Sequence, residues 1–420
     1  MNTRRIVRIS LLLGMVCLLA AVSFAAAQQP GPAKEAPAVY SPGESAAITP
    51  THYESEPNNT IATADMFAVP AVMAGTIASP GDVDYFRYYG GDDNLIVEID
   101  AQKDGSPLDS VLCEMVMNDD GDWFASRCND DSDGLDSMLY TEYDGQYIEV
   151  RDLYGDGGAD YDYTLLIYPP LLISPAVNGT VMGVAFNKSD ILANYRFGSQ
   201  DKWMLFFDAS DVNITQNING LFISDPLGEQ YPFYMTVQAN QSLGGGVTAT
   251  PWDFIGFVPY RLGPSTAGEL YLSMDGSDEG LTAAGEKIDA IALGRYWYSI
   301  STTGVLKVPL PPSGTYVAQD EDLSDLDDES GWYCCEWFLD GSAIPGLGAE
   351  DITAAHVSWD DNNVIYAVIA GSGRVDGLAV NQKDIFVIDP DWNRVLGYFW
   401  RGKDHGFNFN IDAIDLSDSW

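Results

Sequence analysis

The chain has 420 residues and carries 62 Asp and Glu against 20 Lys and Arg, a net charge of −42. That balance lacks the clustered cations that phosphate binding needs, so nucleic acid is not an expected partner. The length favours two domains over one, and beyond residue 27 no run of roughly 18 apolar residues predicts a membrane span.

The chain opens with Arg4, Arg5 and Arg8, then an apolar stretch from Leu11 to Phe24, then Ala25-Ala26-Ala27. This order predicts a signal peptide over 1–27 and a secreted, extracellular or cell-surface protein. The apolar stretch is short for a span, and a retained anchor is the alternative reading. Residues 28–50 are rich in Pro and Ala with no hydrophobic period, which predicts a linker. Over 51–170, short alternating runs such as "DYFRYY", "NLIVEID", "SVLCEMVM", "GQYIEV" and "DYTLLIY" are separated by Gly and Asp turns. They predict the strands of a β-sandwich. Cys113 and Cys128 flank "NDDGDW", a hairpin turn that sets them opposite each other, and an exported compartment allows the disulfide. Cys334 and Cys335 are adjacent, which strains a mutual bridge, and their state stays open.

Six segments of this first domain carry a resemblance: "ESEPNNTIATA" (54–64), "GTIASPGDVDYF" (75–86), "LDSVLCEMVMNDDG" (108–121), "NDDSDGLDSML" (129–139), "GQYIEVRD" (145–152) and "YDYTLLI" (161–167). Their order and spacing resemble the bacterial pre-peptidase C-terminal domain, to which the collagen-binding modules of clostridial collagenases are related. The resemblance covers about 53–168 and implies a small jelly-roll-like β-sandwich. In calcium-binding members, the acidic N-terminal segment and the Gly-Asp-x-Asp-aromatic loop hold the ion together. The residues agree with that implication. Ca²⁺ takes six to eight hard oxygens from flexible loops. Glu54, Glu56, Asn58 and Asn59 offer oxygens at near-alternate positions, and Asp82 and Asp84 in "GDVDYF" offer more. The competing reading of the first segment is a helix start at Asn58, Asn59 or Thr60, running through "IATADMF". A second acidic loop, with Asp131, Asp133 and Gly134, lacks the terminal Glu of an EF-hand and reads as a solvated turn.

From 171 onward a pattern recurs. "WMLFFDASDVNITQNINGLFIS", "LYLSMDGSDEGLTAAGEKIDAIAL", "EWFLDGSAIPGLGAEDITAAHVS" and "GYFWRGKDHGFNFNIDAIDLS" begin at Trp203, Leu270, Glu336 and Gly397. Anchored on Asp208, Asp275, Asp340 and Arg401, they step by 67, 65 and 61 residues. Between them lie strand–loop–strand segments whose second strand opens with an Asp. The region begins with one half-repeat and ends with the other. Such complementary ends predict that N-terminal strands complete the last unit, giving a four-bladed β-propeller over 171–420. An open row of hairpin modules is the alternative. The recurring Asp208, Asp211, Asp275, Asp278, Asp289, Asp340 and Asp412 read first as turn residues. Lining an axis, they would instead gather carboxylates able to hold a cation. Trp203, Tyr271, Trp337 and Phe399 share one strand position, with core packing as the default role and carbohydrate stacking as the other.

His52, His356 and His405 sit in no recognisable catalytic spacing, and neither a zinc-protease motif nor a nucleophile elbow is present. Two carboxylates suffice for a glycosidase, which leaves a carbohydrate hydrolase as the rival class. A self-assembling surface protein is another. The expectation is an all-β, secreted, non-catalytic protein with a calcium-stabilised sandwich. Its propeller would present a surface to extracellular polysaccharide, matrix protein or cell envelope.

Overall fold

Strands dominate this computed structural model, which describes residues 48–90, 94–118, 120–141, 147–223, 233–293, 298–309, 314–326, 336–358 and 363–417. Residues 1–47, which hold the predicted leader and most of the predicted linker, and Cys334 with Cys335 lie outside the described residues. All described residues belong to one compact unit, Val39–Trp420. Helical structure among them is limited to short 3₁₀ turns, so the chain is all-β.

Two five-stranded sheets build the N-terminal module. One has the order His52–Tyr53, Ala71–Thr76, Asp162–Tyr168, Leu95–Asp100 and Met138–Thr141. The other has Asp65–Ala68, Val83–Tyr89, Tyr147–Asp152, Ser110–Met117 and Trp123–Asn129. Alternation explains how they pack: Met73, Leu95, Val97, Ile99, Leu165 and Ile167 of the first sheet meet Phe67, Phe86, Tyr88, Leu112, Ile148 and Val150 of the second. The helix reading of "IATADMF" fails. Only Ile61–Thr63 forms a 3₁₀ turn, without a side-chain cap on Thr60, and Asp65–Ala68 continues as a strand parallel to Val83–Tyr89. Extended geometry sends Phe67 into the sandwich core, so burial overrides the local capping signal. Cys113 and Cys128 lie opposite each other on paired strands and form a disulfide.

The first sheet is buried on both faces. Its outer face carries Val72, Ile96, Met138, Tyr140, Leu166 and Tyr168, which share one core with Met204, Phe206, Phe233, Phe257 and Leu262 of the C-terminal region. Glu98 and Asp100 stand on that same outer face. Both are met by Lys202, whose Nζ lies 2.9 Å from Glu98 Oε1 and 3.2 Å from Asp100 Oδ1, with all three side chains out of contact with solvent. Lys103 adds a second cation 2.5 Å from Asp100 Oδ2. The acidic loop at 131–136 joins this seam and is not a solvated turn. Ser132, Asp133 and Asp136 are buried, Ser132 Oγ donates to Leu262 O at 2.8 Å, and Asp136 Oδ1 accepts from the Gln102 amide at 2.8 Å.

The C-terminal region forms four antiparallel four-stranded sheets. The first takes Leu171–Pro175, Ile191–Phe197 and Gln200–Phe207 and adds Ile411–Leu416 from the far end of the chain. The second runs Ile218–Ile223, Phe233–Val237, Phe254–Arg261 and Ala267–Met274. The third runs Ile288–Leu293, Tyr298–Thr302, Leu323–Leu326 and Glu336–Leu339. The fourth runs Ile352–Ser358, Val364–Ile369, Asp384–Asp389 and Arg394–Arg401. Ile218–Ile223 lies beside Ile288–Leu293, which lies beside Ile352–Ser358, which lies beside Ile411–Leu416, which lies beside Ile218–Ile223 again.

In three of the four units the Asp that precedes the third strand has a structural task. Asp190, Asp253 and Asp322 each accept the backbone amide three residues back, at 2.6, 2.7 and 2.8 Å. Each also accepts the amide just after the outer-strand turn Asp, from Ala209, Gly276 and Gly341 at 3.2, 2.9 and 2.9 Å. One carboxylate thereby ties a hairpin to the next turn and satisfies two amides. The approach is close: a Cβ on Gly276 would come within 2.0 Å of Trp252 O.

Candidate metal centre

Residues 54–59 cross from one sheet of the sandwich to the other. Glu54 N donates to Ala74 O of the first sheet, and Tyr85 N of the second donates to Asn58 O, each at 3.0 Å. The strip therefore runs across the mouth between the sheets, where "GDVDYF" also enters. Glu56, Asp82 and Asp84 are the one group of three or more His, Cys, Asp or Glu among the described residues whose ligand atoms all lie within 4.8 Å of one another.

Each predicted residue has a defined place. Glu54 Oε1 accepts from the Thr76 amide at 2.7 Å, and its Oε2 lies 3.4 Å from the Tyr163 hydroxyl. That hydroxyl donates to Asp84 Oδ2 at 2.6 Å. Asp84 Oδ1 faces the Asn58 side-chain amide at 3.0 Å, and Glu56 Oε2 faces the same amide at 3.2 Å. As placed, the amide oxygen points at the two carboxylates. Turning the amide would satisfy them with its nitrogen, whereas a cation would satisfy all three oxygens as they stand. Asp82 Oδ2 accepts from the Ala78 amide at 2.8 Å, and its Oδ1 accepts from Asn59 Nδ2 and from the Val83 amide. The structure thus groups Glu56, Asn58, Asp82 and Asp84, sets Glu54 directly beside Asp84 and Asn58, and gives Asn59 to Asp82 as a donor.

Burial penalises charge at Asp84, Glu54 and Tyr163. Burial pushes Asp84 up to about 9, its Tyr163 hydrogen bond opposing and the Glu54 charge reinforcing the shift. Burial also raises Glu54. Burial and the two neighbouring acids hold the Tyr163 hydroxyl well above its usual range. A hard divalent cation would favour the charged carboxylates that burial penalises, and carboxylate and amide oxygens are its preferred donors. Space is tight: a Cβ on Gly75 would sit 2.4 Å from the Tyr163 oxygen and 2.8 Å from Glu54 Oε2. Gly81, at φ +80, makes the turn that delivers Asp82 and Asp84. Sequence reasoning missed Tyr163. Its signal was the alternation of "YDYTLLI", which points this phenol inward beside Leu165 and Ile167.

The repeat acids separate into two kinds. Asp208, Asp275 and Asp340 cap their own turns, each Oδ1 accepting from the Ser amide two residues on at 3.0, 3.0 and 3.1 Å and from that Ser hydroxyl at 2.6, 2.6 and 2.5 Å. Asp211 and Asp278 follow in the same turns. Asp289 and Asp412 instead face a cavity between the four inner strands. His356 is buried with Nδ1 2.8 Å from Asp415 Oδ1. His405 Nδ1 lies 2.7 Å from Asp201 Oδ1, and burial lowers its pKa. Of the repeat aromatics, Trp203 is buried and Phe399 packs against its cluster, whereas Tyr271 and Trp337 are exposed.

No family model matches the chain, and no curated protein matches it. One solved structure, a pre-peptidase C-terminal domain of collagenase from Bacillus anthracis, is similar over 25% of this chain and 93% of its own, at 10% identity and a TM-score of 0.19. At that score the likeness carries no argument here. Among the described residues, no helix is long and apolar enough to cross a membrane.

Proposed function

We propose that the chain is an exported, non-catalytic binding protein in which a calcium-stabilised, jelly-roll-like β-sandwich holds a four-bladed β-propeller, and that the propeller binds extracellular polysaccharide. The propeller reading is supported by the cyclic adjacency of the four inner strands and by the pairing of Ile411–Leu416 with Leu171–Pro175. Export is supported by the leader pattern, and the Cys113–Cys128 disulfide fits an oxidising compartment. The calcium reading is supported by the oxygens of Glu56, Asn58, Asp82 and Asp84 gathered without a cationic side chain. Metal there would pin the 54–59 strip across both sheets and link stability to calcium.

The observation that carries polysaccharide binding is a groove of about 460 Å³ on the fourth sheet. Its wall is Tyr366, Val387 and Leu396, Asp391 is its open acid, Asp389 is held by Arg394 and the Trp392 amide, and Trp392 stands at its edge, 74% exposed. An open indole beside the Asp391 carboxylate offers a sugar ring a stacking face and a hydroxyl acceptor together. The test is affinity electrophoresis of the full chain in gels cast with soluble glucan or xylan. Retardation is expected, and Trp392→Ala is expected to remove most of it. No retardation on either polysaccharide, or the same retardation in the variant, contradicts the reading. Release of reducing ends from the retained polysaccharide would overturn its non-catalytic part.

A further inference from the structure

The cavity between the inner strands has a different lining. Asp289, Thr353 and Asp412 are the second residues of three neighbouring inner strands, Asn219 holds that place on the fourth, and Asp351 and Lys287 each precede an inner strand. Together they surround about 370 Å³. Two of the six are committed elsewhere. Asn219 Nδ2 donates to Ile288 O at 2.9 Å and its Oδ1 accepts from Thr236 at 3.2 Å. Asp412 accepts from the Asn217 amide.

Three of the others leave atoms over. Asp289 Oδ1, Asp351 Oδ1 and Thr353 Oγ1 are buried and receive no hydrogen bond from a protein donor, the Asp289 and Asp351 carboxyls lie within hydrogen-bond reach of each other, and Asp289 as a residue is only 5% exposed. All three orphaned atoms are oxygens. Buried polar atoms without partners are rare, and a carboxylate oxygen among them calls for a donor or a cation. Lys287 is the one cationic side chain in the lining, against three carboxyls. Burial, then the charge of Asp320, pushes Asp351 up to about 7, and burial with the Asp351 charge raises Asp289.

We infer that the Asp289–Asp351 pair, with the Thr353 hydroxyl, binds a hydrated divalent cation of the Mg²⁺ or Mn²⁺ kind on the inner-strand axis. The lining selects the ion. Asp289, Asp351 and Asp412 do not all converge as Glu56, Asp82 and Asp84 do, so the Asp289–Asp351 pair offers its carboxylate oxygens with room for water. Mg²⁺ and Mn²⁺ suit that arrangement, since Mg²⁺ dehydrates reluctantly and is commonly held by one or two carboxylates plus waters, whereas Ca²⁺ recruits six to eight oxygens. The ion would join the third and fourth sheets, which contribute Asp289 and Thr353 respectively. The inference does not depend on calcium in the sandwich.

The test is Mn²⁺ titration of the chelated full chain, read by calorimetry and by the electron paramagnetic resonance of free Mn²⁺, on the wild type, Asp289→Asn, Asp351→Asn and Glu56→Gln. Glu56→Gln is expected to keep a Mn²⁺ site of wild-type affinity. Asp289→Asn and Asp351→Asn are each expected to weaken it by at least about 10-fold. Thr353→Val, which keeps the shape of the strand, is expected to weaken it less, and it keeps the test valid should either Asp variant fail to fold. Mn²⁺ affinity unchanged in all three axial variants, or no Mn²⁺ bound by the wild type, overturns the inference. Loss of Mn²⁺ binding in Glu56→Gln alone overturns it too, by placing the ion in the sandwich.

Discussion

Asp340 and Asp351 lie eleven residues apart in one repeat, and their surroundings differ in kind. Asp340 Oδ1 takes two hydrogen bonds from Ser342, its amide and its hydroxyl, and caps a turn at the surface. Asp351 Oδ1 is buried, receives no hydrogen bond from a protein donor, and meets another acid, Asp289. In the sandwich, Glu56 and Asp84 keep one donor each, the Asn58 backbone amide and the Tyr163 hydroxyl, and still face the Asn58 side-chain oxygen. In a chain with 62 acidic residues, acid density marks nothing. What separates Asp340 from Asp351 is whether a protein donor already meets the carboxylate oxygen.

That comparison can be broken from the satisfied side. The largest effect belongs to the seam. Lys202→Met leaves Glu98 and Asp100 buried with their main cation gone, and the expected loss is about 3–5 kcal/mol in urea unfolding of the full chain. A loss below about 1 kcal/mol would mean that Lys103 alone satisfies the pair. Asp253→Ala orphans the Thr250 and Gly276 amides, and about 2–3 kcal/mol is expected from the same measurement. Asp340→Ala removes only a surface cap, at about 1 kcal/mol. If Asp340→Ala cost more than Asp253→Ala, the ranking of the two kinds of structural Asp would be inverted.

The smallest effect sharpens the comparison through pH. Asp190 accepts two backbone amides, yet burial outweighs them and pushes it up to about 6. Its folded value lies above its unfolded one, so the stability it contributes is fully present below about pH 4 and is lost as pH rises through 6. Carboxyl-carbon NMR should find its midpoint near 6. A midpoint near 4 would show that two amide donors cancel the burial.

Much of this was legible in the sequence. The period-two runs located strands of both sheets, and the repeat halves anticipated that the first and last segments of the region pair. The near-alternate oxygens at 54–59 and 82–84 identified residues that the fold brings together. Glu98 and Asp100 were not legible. In "NLIVEID" they alternate with apolar residues as solvent-facing acids do, and only Lys202, about a hundred residues on, reveals a buried face. The helix start at Asn58 misled because capping is a local signal, whereas Phe67 pairs across a parallel ladder to Tyr88. The Asp turns and the axial acids share one repeat pattern, so composition could not separate them. Their hydrogen-bond partners do.

The most direct measurement is hydrogen exchange by mass spectrometry on the chelated full chain, with and without added Ca²⁺. Protection gained at 54–60 and 76–86, with the Asp turns at 208–213, 275–280 and 340–346 unchanged, is the predicted result. Protection gained at the turns, or at neither place, would contradict the account.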